Sequence, residues 1–330
     1  MTYLMTYDGN IGGVPVPSGY YVGASIYAGY AITGTYSTRI YSNSSAEVYI
    51  NFPYPNTSSP AVSMWLYLTG LAWTHSSYCK IQFLIGSLYV GLLWNGTNKT
   101  FDLYVNGSKV ADGTVFLDSQ SLFNLRIYGT IADSGGITVK INGETSIEYS
   151  GDTKPGSDTE VTMLYFWTKG ALGASSGVYI SSLSINDGGT DPGDRRAQVL
   201  MPDGDSSVQW TPSTGSDNYA TVDEVPLSDT DYLETSTDGH KDLLTLEDFD
   251  GTDRTIAGVT KFVRAWKTTA DAQTLYNGVN SGSTESYTEH ELETAAIYFY
   301  HGMATNPDDS AAWEDADIDG LLAMHQAVIP

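Results

Sequence analysis

Short runs in which apolar and polar residues alternate dominate the first part of the chain. Such runs lie at 47–52, 62–68, 81–85, 88–94, 100–105, 122–128, 137–141, 161–167 and 178–185. Successive side chains of a strand point to opposite faces, so a two-residue period indicates a strand with one buried face. The pattern predicts a strand for each run and no helix of three turns between residues 36 and 186.

Two of the predicted hairpins turn at Asn-Gly pairs, which are Asn106-Gly107 and Asn142-Gly143. Asn-Gly favours the two-residue turns that join neighbouring antiparallel strands. Many short strands separated by such turns are typical of a β-sandwich or a β-barrel. We therefore predict that this part of the chain is all-β and forms a sandwich.

The second part of the chain also predicts strands, with one exception. Residues 256–267 and 294–300 alternate as strands do. Residues 313–324 have apolar side chains at helical spacing and acids in the first turn, where a carboxylate suits the helix dipole. We expect a second β-rich domain with one short C-terminal helix.

A change in composition and charge divides the chain. Pro, Gly and Asp concentrate at 187–218, as in a linker or an ordered loop. Residues 1–190 carry 12 acids and 8 bases, net −4, whereas residues 191–330 carry 27 acids and 7 bases, net −20. The predicted parts are an N-terminal arm or first strands (1–35), a sandwich domain (36–188), a linker (189–207) and an acidic β-rich domain (208–330).

The formal net charge of −24 limits the partners that the protein can have. A field of this sign repels nucleic acids and anionic lipids, so we expect neither nucleic-acid binding nor membrane insertion. Neutral or cationic partners, including sugars, remain. Tyrosine is common, with 24 residues against 9 phenylalanines, and its apolar ring and polar tip suit half-exposed faces.

The single cysteine, Cys79, excludes an internal disulfide, and its strand-like surroundings predict a buried structural thiol. Residues 1–8 lack the basic and apolar regions of a secretion signal. No apolar run reaches the ~18 residues of a membrane span. We expect synthesis in the cytoplasm and departure by another route, such as release inside an assembled particle.

Three features of residues 36–188 occur together in one known fold. They are the strand that ends in Tyr104-Val105-Asn106-Gly107, the hairpin at 136–143 and the closing strand that ends at Gly188. In this combination the segment resembles a concanavalin A-like (laminin-G-like) jelly roll. The resemblance implies two packed antiparallel sheets.

The features of residues 195–327 also follow a recognisable order. Trp210 and Pro212 open it, the run 218–226 follows, and Asn306-Pro307 and Trp313-Glu314 close it. This order is similar to the distal region of many tailed-phage structural proteins, which also follows a concanavalin A-like domain. The resemblance implies a place on the virion exterior, with capsid or tail proteins as partners, and it brings no catalytic residues.

The common catalytic patterns are absent from the sequence. Jelly-roll glycosidases often carry Glu-x-Asp-x-x-Glu along one strand, because their mechanism needs paired carboxylates, and this spacing does not occur. His290-Glu291 lacks the second histidine of a zinc-protease motif. No phosphate-binding loop and no nucleophile elbow are present. We therefore predict that the protein is not an enzyme.

Sugar binding is the chemistry that we expect of the first domain. Sugar sites stack an exposed aromatic ring on a pyranose and add hydrogen bonds from Asn or Asp. The candidates near loops or strand ends are Trp73, Trp94, Tyr78, Tyr89, Asn95 and Asn98. A place in the core is an equally good interpretation for Trp73 and Trp94, and the better one for Trp65 and Trp167.

The motifs predict no cofactor, and calcium is the one ion for which the sequence offers candidate ligands. Calcium takes carboxylate and carbonyl oxygens, and Asp187, Asp191 and Asp194 lie in one Gly-rich loop. A solvated acidic turn is the simpler interpretation of the same three residues.

The leading hypothesis is a non-enzymatic structural protein on the exterior of a phage particle. It would serve as capsid decoration, head fibre or tail fibre, and in one version it contacts polysaccharide on the host surface. The alternatives are a stand-alone glycan-binding adhesin or lectin, and a polysaccharide-degrading enzyme on a jelly-roll fold. The Gly- and Tyr-rich start of the chain and the lack of disulfides also predict a homo-oligomer.

Overall fold

The computed structural model of the 330-residue protein describes residues 3–7, 24–27, 37–40, 47–69, 76, 79–117, 122–169, 177–194, 198–223, 230–249 and 255–330. The chain divides into two compact units. Unit 1 ends at Gln198 and unit 2 begins at Val199. This division falls inside the segment 189–207 that the sequence analysis predicts as a linker.

The described residues of unit 1 form fourteen strands. They are β1 (Tyr3–Tyr7), β2 (Ala24–Tyr27), β3 (Ser37–Ile40), β4 (Glu47–Thr57), β5 (Ala61–Thr69), β6 (Cys79–Ile85), β7 (Leu88–Asn95), β8 (Thr100–Val105), β9 (Ser108–Ala111), β10 (Phe123–Thr130), β11 (Gly135–Ile141), β12 (Glu144–Gly151), β13 (Val161–Lys169) and β14 (Gly177–Asn186). Each run predicted from the alternation falls within one of these strands. The one exception is Leu122, the first residue of the run 122–128, which lies just before the start of β10.

The strands of unit 1 form two antiparallel sheets. The eight-stranded sheet has the order β12-β11-β10-β5-β14-β3-β2, with β1 also paired to β14. The six-stranded sheet has the order β4-β13-β6-β7-β8-β9. The rings of Phe101 on β8 and Phe123 on β10 lie 6.1 Å apart and join the two sheets in one apolar core. The prediction of an all-β sandwich is confirmed.

A tyrosine hydroxyl ties the two sheets together at one end of this core. The hydroxyl of Tyr54 on β4 accepts a hydrogen bond from the Ala61 amide (2.8 Å) and donates to the Asn186 carbonyl (2.7 Å). The phenol is buried among apolar groups, and burial raises its pKa well above the usual range. A buried hydroxyl needs such partners, because an unsatisfied polar group would cost free energy in the core.

The two Asn-Gly turns are formed as predicted. Asn106 and Gly107 have φ angles of 44° and 84°, and Asn142 and Gly143 have φ angles of 51° and 88°. Positive φ at both central residues is the geometry of the two-residue hairpin turn that Asn-Gly favours. The first turn joins β8 to β9, and the second joins β11 to β12.

The prediction of a buried cysteine is also confirmed. Cys79 begins β6 and is 1% exposed. Burial raises the pKa of its thiol to about 12, because the thiolate would lose its hydration in the core. The thiol is therefore a packing group and not a nucleophile.

In unit 2, the part of the chain that the structure describes forms nine strands and one α-helix. They are β15 (Pro202–Ser207), β16 (Thr211–Pro212), β17 (Leu233–Glu234), β18 (Lys241–Leu246), β19 (Val259–Ala265), β20 (Thr274–Ser281), β21 (Thr284–Glu291), β22 (Ile297–Met303), α1 (Asp315–Asp319) and β23 (Leu322–Val328). A 3₁₀ turn spans Tyr219–Thr221. No helix among the described residues is long and apolar enough to cross a membrane.

A five-stranded antiparallel sheet with the order β15-β18-β23-β20-β21 forms the centre of unit 2. Strands β19 and β22 pair with each other as a separate two-stranded ribbon, and so do β16 and β17. A small apolar cluster contains Val279, Met303, Trp313, Ile318 and Leu321. The predicted β-rich second domain is confirmed, and its first strand begins within the predicted linker.

The C-terminal helix is shorter than the predicted span of 313–324. Reciprocal hydrogen bonds between Glu314 and Asp317 cap its start, and it ends at Asp319, with Gly320 as its C-cap. The residues after Leu321 form β23, which pairs with β18 on one side and β20 on the other. The span predicted as one helix therefore contains two elements, α1 and the start of β23. The end of the chain is a strand because it pairs with both β18 and β20.

Candidate functional site

The outer face of the six-stranded sheet carries an unusual set of polar and aromatic side chains. On β6, Ile81, Phe83 and Ile85 point into the core, so Lys80 and Gln82 point outward. The same alternation on β7, β8, β9 and β13 directs outward Tyr89, Leu93, Asp102, Tyr104, Lys109, Met163, Tyr165 and Trp167. We call this set the outer face of unit 1.

One row of this face crosses five strands. Tyr165 on β13 lies beside Gln82, Gln82 lies beside Gly91, Gly91 lies beside Tyr104, and Tyr104 lies beside Lys109 on β9. Neighbouring strands are about 4.8 Å apart, so the two tyrosines are separated by about 14 Å across the sheet. Two aromatic rings thus flank an amide side chain, with an ammonium group at one end.

The glycine in the middle of this row is required by the backbone. A Cβ atom at Gly91 would lie 2.3 Å from the carbonyl oxygen of Ile81 and 2.7 Å from the Cα of Gln82. Both contacts are with backbone, which cannot move aside as a flexible side chain can. The row is therefore low at its centre, and the rings of Tyr104 and Tyr165 stand at either side.

A second row runs next to the first and is more closely packed. It contains Trp167, Lys80, Leu93 and Asp102 in neighbouring strands. The ammonium nitrogen of Lys80 lies 3.9 Å from the centroid of the Trp167 ring, a cation–π contact. Trp167 is only 6% exposed.

Asp102 is held as a buried carboxylate at the end of the second row. It is 4% exposed and accepts hydrogen bonds from Asn95 Nδ2 (3.2 Å), Thr100 Oγ1 (3.4 Å) and the Gly113 amide (3.3 Å). The ammonium of Lys109 lies 3.9 Å from it and 2.6 Å from Asp112. The hydrogen bond to Asp112 raises the pKa of Lys109, with smaller contributions from nearby charges, so its side chain is cationic.

Three of the predicted sugar-binding residues lie on or beside this face. Tyr89 is on the face itself, opposite Leu84. Asn95 accepts hydrogen bonds from the amides of Thr97 (3.2 Å) and Asn98 (3.1 Å), so it shapes the turn between β7 and β8. Asn98 is exposed within that turn.

Trp94 occupies the opposite side of the sheet from the face. It is 1% exposed, and its ring packs edge-on against Phe101 with centroids 5.0 Å apart. A ring enclosed in the core cannot stack on a sugar, so the structure selects the core interpretation and corrects the sugar-binding one. Trp73 and Tyr78 lie outside the described residues.

The other two tryptophans that were expected in the core point away from it. Trp167 is buried, as predicted, but by its neighbours on the outer face. Trp65 on β5 is only partly buried, and its Nε1 donates a 3.0 Å hydrogen bond to Asp194. Their strands carry apolar residues on both faces, so the alternation does not show which face points into the core.

Two of the three aspartates predicted as calcium ligands, Asp191 and Asp194, are engaged by other side chains. Asp191 pairs with Arg126 (3.0 Å) and Lys140 (2.7 Å), and Asp194 accepts the hydrogen bond from Trp65. Burial raises the pKa of Asp191, but hydrogen bonds from Lys140, Gly193 and Arg126 outweigh it and hold that pKa below its usual value. Within the part of the chain that the structure describes, no three acidic, histidine or cysteine side chains form a metal-binding group.

Tyr104 and Tyr165, which dominate the first row, are not among the site residues predicted from the sequence. The sequence of β8 does contain a signal for Tyr104. Phe101 and Leu103 are more apolar than Asp102 and Tyr104, so they take the inner face and place Tyr104 on the outer one. The alternation does not predict which strands are neighbours in the sheet. The row exists only because β13 inserts between β4 and β6.

No protein-family model matches the chain, and no curated protein matches it in sequence. Several solved structures are similar to it in fold. An endo-β-1,4-glucuronan lyase from the fungus Trichoderma reesei is 12% identical, with a TM-score of 0.41, over 59% of this chain and 100% of its own. A carbohydrate esterase from the Shiga toxin-encoding bacteriophage phi24B is 12% identical, with a TM-score of 0.41, over 57% and 99%. The cellulose-induced protein Cip1 is 14% identical, with a TM-score of 0.39, over 54% and 88%.

The comparisons bear on the prediction about enzymatic activity and do not test the prediction of a place in a virion. The similar structures include the glucuronan lyase, an alginate lyase, the phage esterase and a sialidase from Trypanosoma rangeli, and this finding contradicts the prediction that the chain is not an enzyme. At 10–12% identity and TM-scores of 0.37–0.41, these structures show a likeness of fold alone. They are carbohydrate-active proteins of the β-sandwich type, and one comes from a phage. A place in a virion stays a prediction.

Proposed function

We propose that unit 1 binds a polysaccharide chain across its outer face. The observation that carries this proposal is the row Tyr165, Gln82, Gly91, Tyr104 and Lys109, in which two tyrosine rings flank a low centre that contains an amide. Sugar rings have apolar faces that pack on aromatic rings and hydroxyls that bond to amides. Tyrosine supplies both an apolar ring and a polar tip at such half-exposed places.

The geometry of the face favours an extended chain over a single sugar. The two tyrosines stand about 14 Å apart, a span that exceeds one pyranose ring. Lys80 and Lys109 add two ammonium groups along the neighbouring strands, the latter paired with Asp112 at 2.6 Å, while the buried carboxylate of Asp102 accepts three hydrogen bonds. The face therefore offers two half-buried rings and two cations to several consecutive sugar units, and Gln82, which is 7% exposed, lies at the floor between the rings.

We expect Tyr104→Ala and Tyr165→Ala each to weaken polysaccharide binding about tenfold, the equivalent of ~1.4 kcal/mol for a lost stacking contact. The measurement is affinity electrophoresis against a panel of neutral and acidic polysaccharides, followed by calorimetry on the best ligand. Circular dichroism of each variant establishes that the sandwich is still folded.

Tyr128→Ala is the matched control, because Tyr128 is a partly buried tyrosine on β10 of the other sheet. It is expected to bind as tightly as the unaltered protein. If both outer-face variants are folded and bind as tightly as this control, the outer face is not the binding site and the proposal fails.

A second candidate function is cleavage of the bound polysaccharide. The observation that favours it is the pair Tyr104 and Lys109, which are neighbours across β8 and β9 and interact electrostatically. A phenol beside an ammonium group can pass a proton to or from a sugar, which is the task of a general acid or base. This route does not require the two free carboxylates of a glycosidase.

Tyr104→Phe separates the two functions, because it keeps the ring and removes the hydroxyl. For a binding site alone, the variant should bind about as well as the unaltered protein. For an enzyme, it should bind but release far fewer reducing ends, or far less unsaturated uronic acid, from the same polysaccharide. Absence of product from the unaltered protein across the panel would contradict the enzymatic candidate.

The location and assembly of the protein belong to the proposal as well. The order of features in the second half of the sequence supports a place on the exterior of a phage particle, with capsid or tail proteins and further copies of the chain as partners. Antibody labelling of intact particles tests the location, and light scattering at micromolar concentration tests the oligomer. Unlabelled particles that contain the protein, or a monomeric mass, would contradict the respective part.

A further inference from the structure

Unit 2 contains a layer of basic side chains between the β19–β22 ribbon and the five-stranded sheet. On the ribbon, Lys261 of β19 pairs directly with His301 of β22. The sheet contributes Asn277 on β20 and His325 on β23, which lie opposite each other in the register. Together with His290 on β21, Lys261, His301 and His325 form what we call the basic layer.

Lys261 is held in this layer by neutral partners alone. Its ammonium nitrogen donates hydrogen bonds to Asn277 Oδ1 (2.9 Å) and to the carbonyl oxygen of Met324 (2.6 Å). Among the described residues, no carboxylate forms an ion pair with it. Burial lowers the pKa of the Lys261 amine to about 7, because the charged form loses its hydration without gaining a counter-ion.

The three histidines of the layer are also placed against their protonation. His301 bonds to the hydroxyls of Ser286 (3.0 Å) and Thr288 (2.9 Å), and the His290 ring stacks on Phe299 with centroids 4.6 Å apart. Burial lowers the pKa of each histidine, and it outweighs the hydrogen bonding to Asp242 and to the Tyr300 backbone that raises the pKa of His325 and His290, respectively. The charge of nearby Lys261 lowers all three further. The buried Nε2 of His290 has no hydrogen-bond partner among the described residues, whereas the Nε2 of His325 lies 3.5 Å from the Asp242 carboxylate.

The charged groups that face Lys261 are unbalanced in sign. His301 faces it from β22, His290 from β21 and His325 from β23, whereas β20 contributes the neutral Asn277. The one carboxylate of the layer is Asp242 on β18, whose Oδ2 lies 3.5 Å from His325 Nε2. Asp242 already accepts three shorter hydrogen bonds from N–H donors, so it cannot neutralise four cations.

We propose that the basic layer is an acid-responsive contact, and that protonation of its side chains releases the β19–β22 ribbon from the five-stranded sheet. The ribbon is suited to such release, because its strands pair only with each other and are not part of the sheet. Its contact with the sheet depends on side chains, and four of these side chains repel one another once they are charged.

The direction of the pH dependence follows from proton linkage. All four bases have a lower pKa in the closed form than in water, so the released form binds more protons. Lys261 weakens the contact as the pH falls from 10.5, its ordinary pKa, to about 7. The histidines continue the effect as the pH falls below their ordinary pKa of 6.5.

Hydrogen exchange of the full chain between pH 9 and pH 5 tests the proposal, after correction for the intrinsic exchange rate at each pH. Linkage of one proton changes the opening equilibrium by up to about tenfold per pH unit. We expect the amides of β19 and β22 to gain exchange at that scale as the pH falls, while those of β20 and β23 stay protected.

Lys261→Met should abolish the part of this dependence that lies above pH 7 and retain the part due to the histidines. His301→Gln should do the reverse and reduce the dependence below pH 6.5. Lys267→Met is the control, because Lys267 lies just after the same ribbon strand and outside the basic layer, and it should leave the profile unchanged. The proposal is overturned if the ribbon and the sheet open together at every pH, or if Lys261→Met and His301→Gln both retain the full profile.

Discussion

Asp242→Ala is expected to destabilise unit 2 by about 3–5 kcal/mol, the range for loss of one partner from a buried charged network. Asp242 is 0% exposed. Its Oδ1 accepts the amides of Gln209 (2.6 Å) and Trp210 (2.9 Å), and its Oδ2 accepts Asn218 Nδ2 (2.6 Å). Without the carboxylate, the two amides lose their acceptor, Asn218 Nδ2 keeps only its bond to the Trp210 carbonyl (3.0 Å), and the segment 209–218 loses its anchor to β18.

The contribution of Asp242 should also depend on pH in a defined direction. Burial raises its pKa, but hydrogen bonding and the charge of His325, together with the amides of Gln209 and Trp210, lower it more, and the net pKa lies below 3.8, its ordinary value. Its stabilising contribution is therefore present above pH 3.8 and is lost as the pH falls through the lowered pKa. Asp242→Ala should thus lose its effect in strong acid.

Urea unfolding followed by hydrogen exchange distinguishes unit 2 from unit 1 in this experiment. Asp271→Ala is the control, because Asp271 is an exposed aspartate in a surface bend of the same unit. Its replacement should change the free energy of unfolding by no more than ~0.5 kcal/mol. Equal stabilities for the two variants would show that the network around Asp242 does not hold unit 2 together.

Trp94→Ala is expected to destabilise unit 1 by ~3–5 kcal/mol, the usual range when a buried Trp or Phe is truncated in a core. Its ring packs against Phe101, which in turn contacts Phe123 on the opposite sheet. Removal of the indole leaves a cavity between the two sheets, and the well-ordered strands on either side can close it only in part.

This variant also separates packing from recognition. At a temperature where Trp94→Ala is still folded, its polysaccharide affinity should equal that of the unaltered protein, since the ring lies on the inner side of the sheet. Trp94→Phe should recover most of the lost stability. Phe116→Ala is the control, because Phe116 is 54% exposed and its loss should cost ~0.5 kcal/mol or less. A folded Trp94→Ala protein with selectively lost binding would return Trp94 to the site.

Local sequence patterns determined the secondary structure of unit 1 and its turns. The two-residue alternation places the principal strands from β4 to β14, because a strand at a sandwich interface must present apolar side chains every second residue. Asn106-Gly107 and Asn142-Gly143 fix two hairpins, because few other residue pairs adopt positive φ at low cost. The C-terminal helix was located within its span but not bounded, since Leu322 and the residues after it could follow either period.

The side chains of the candidate site were decided by the tertiary structure. Trp94 and Tyr104 lie on neighbouring strands, and alternation alone does not say which face is inward when β7 carries apolar residues on both faces. The pairing of β13 with β6 brings Tyr165 next to Gln82, although 83 positions separate them in the chain. In unit 2, the sequence shows Lys261 as one polar residue of an alternating strand, and only the packing of the ribbon on the sheet buries its amine. Periodicity is a property of consecutive residues, whereas strand order and burial depend on contacts between distant segments, which no local pattern records.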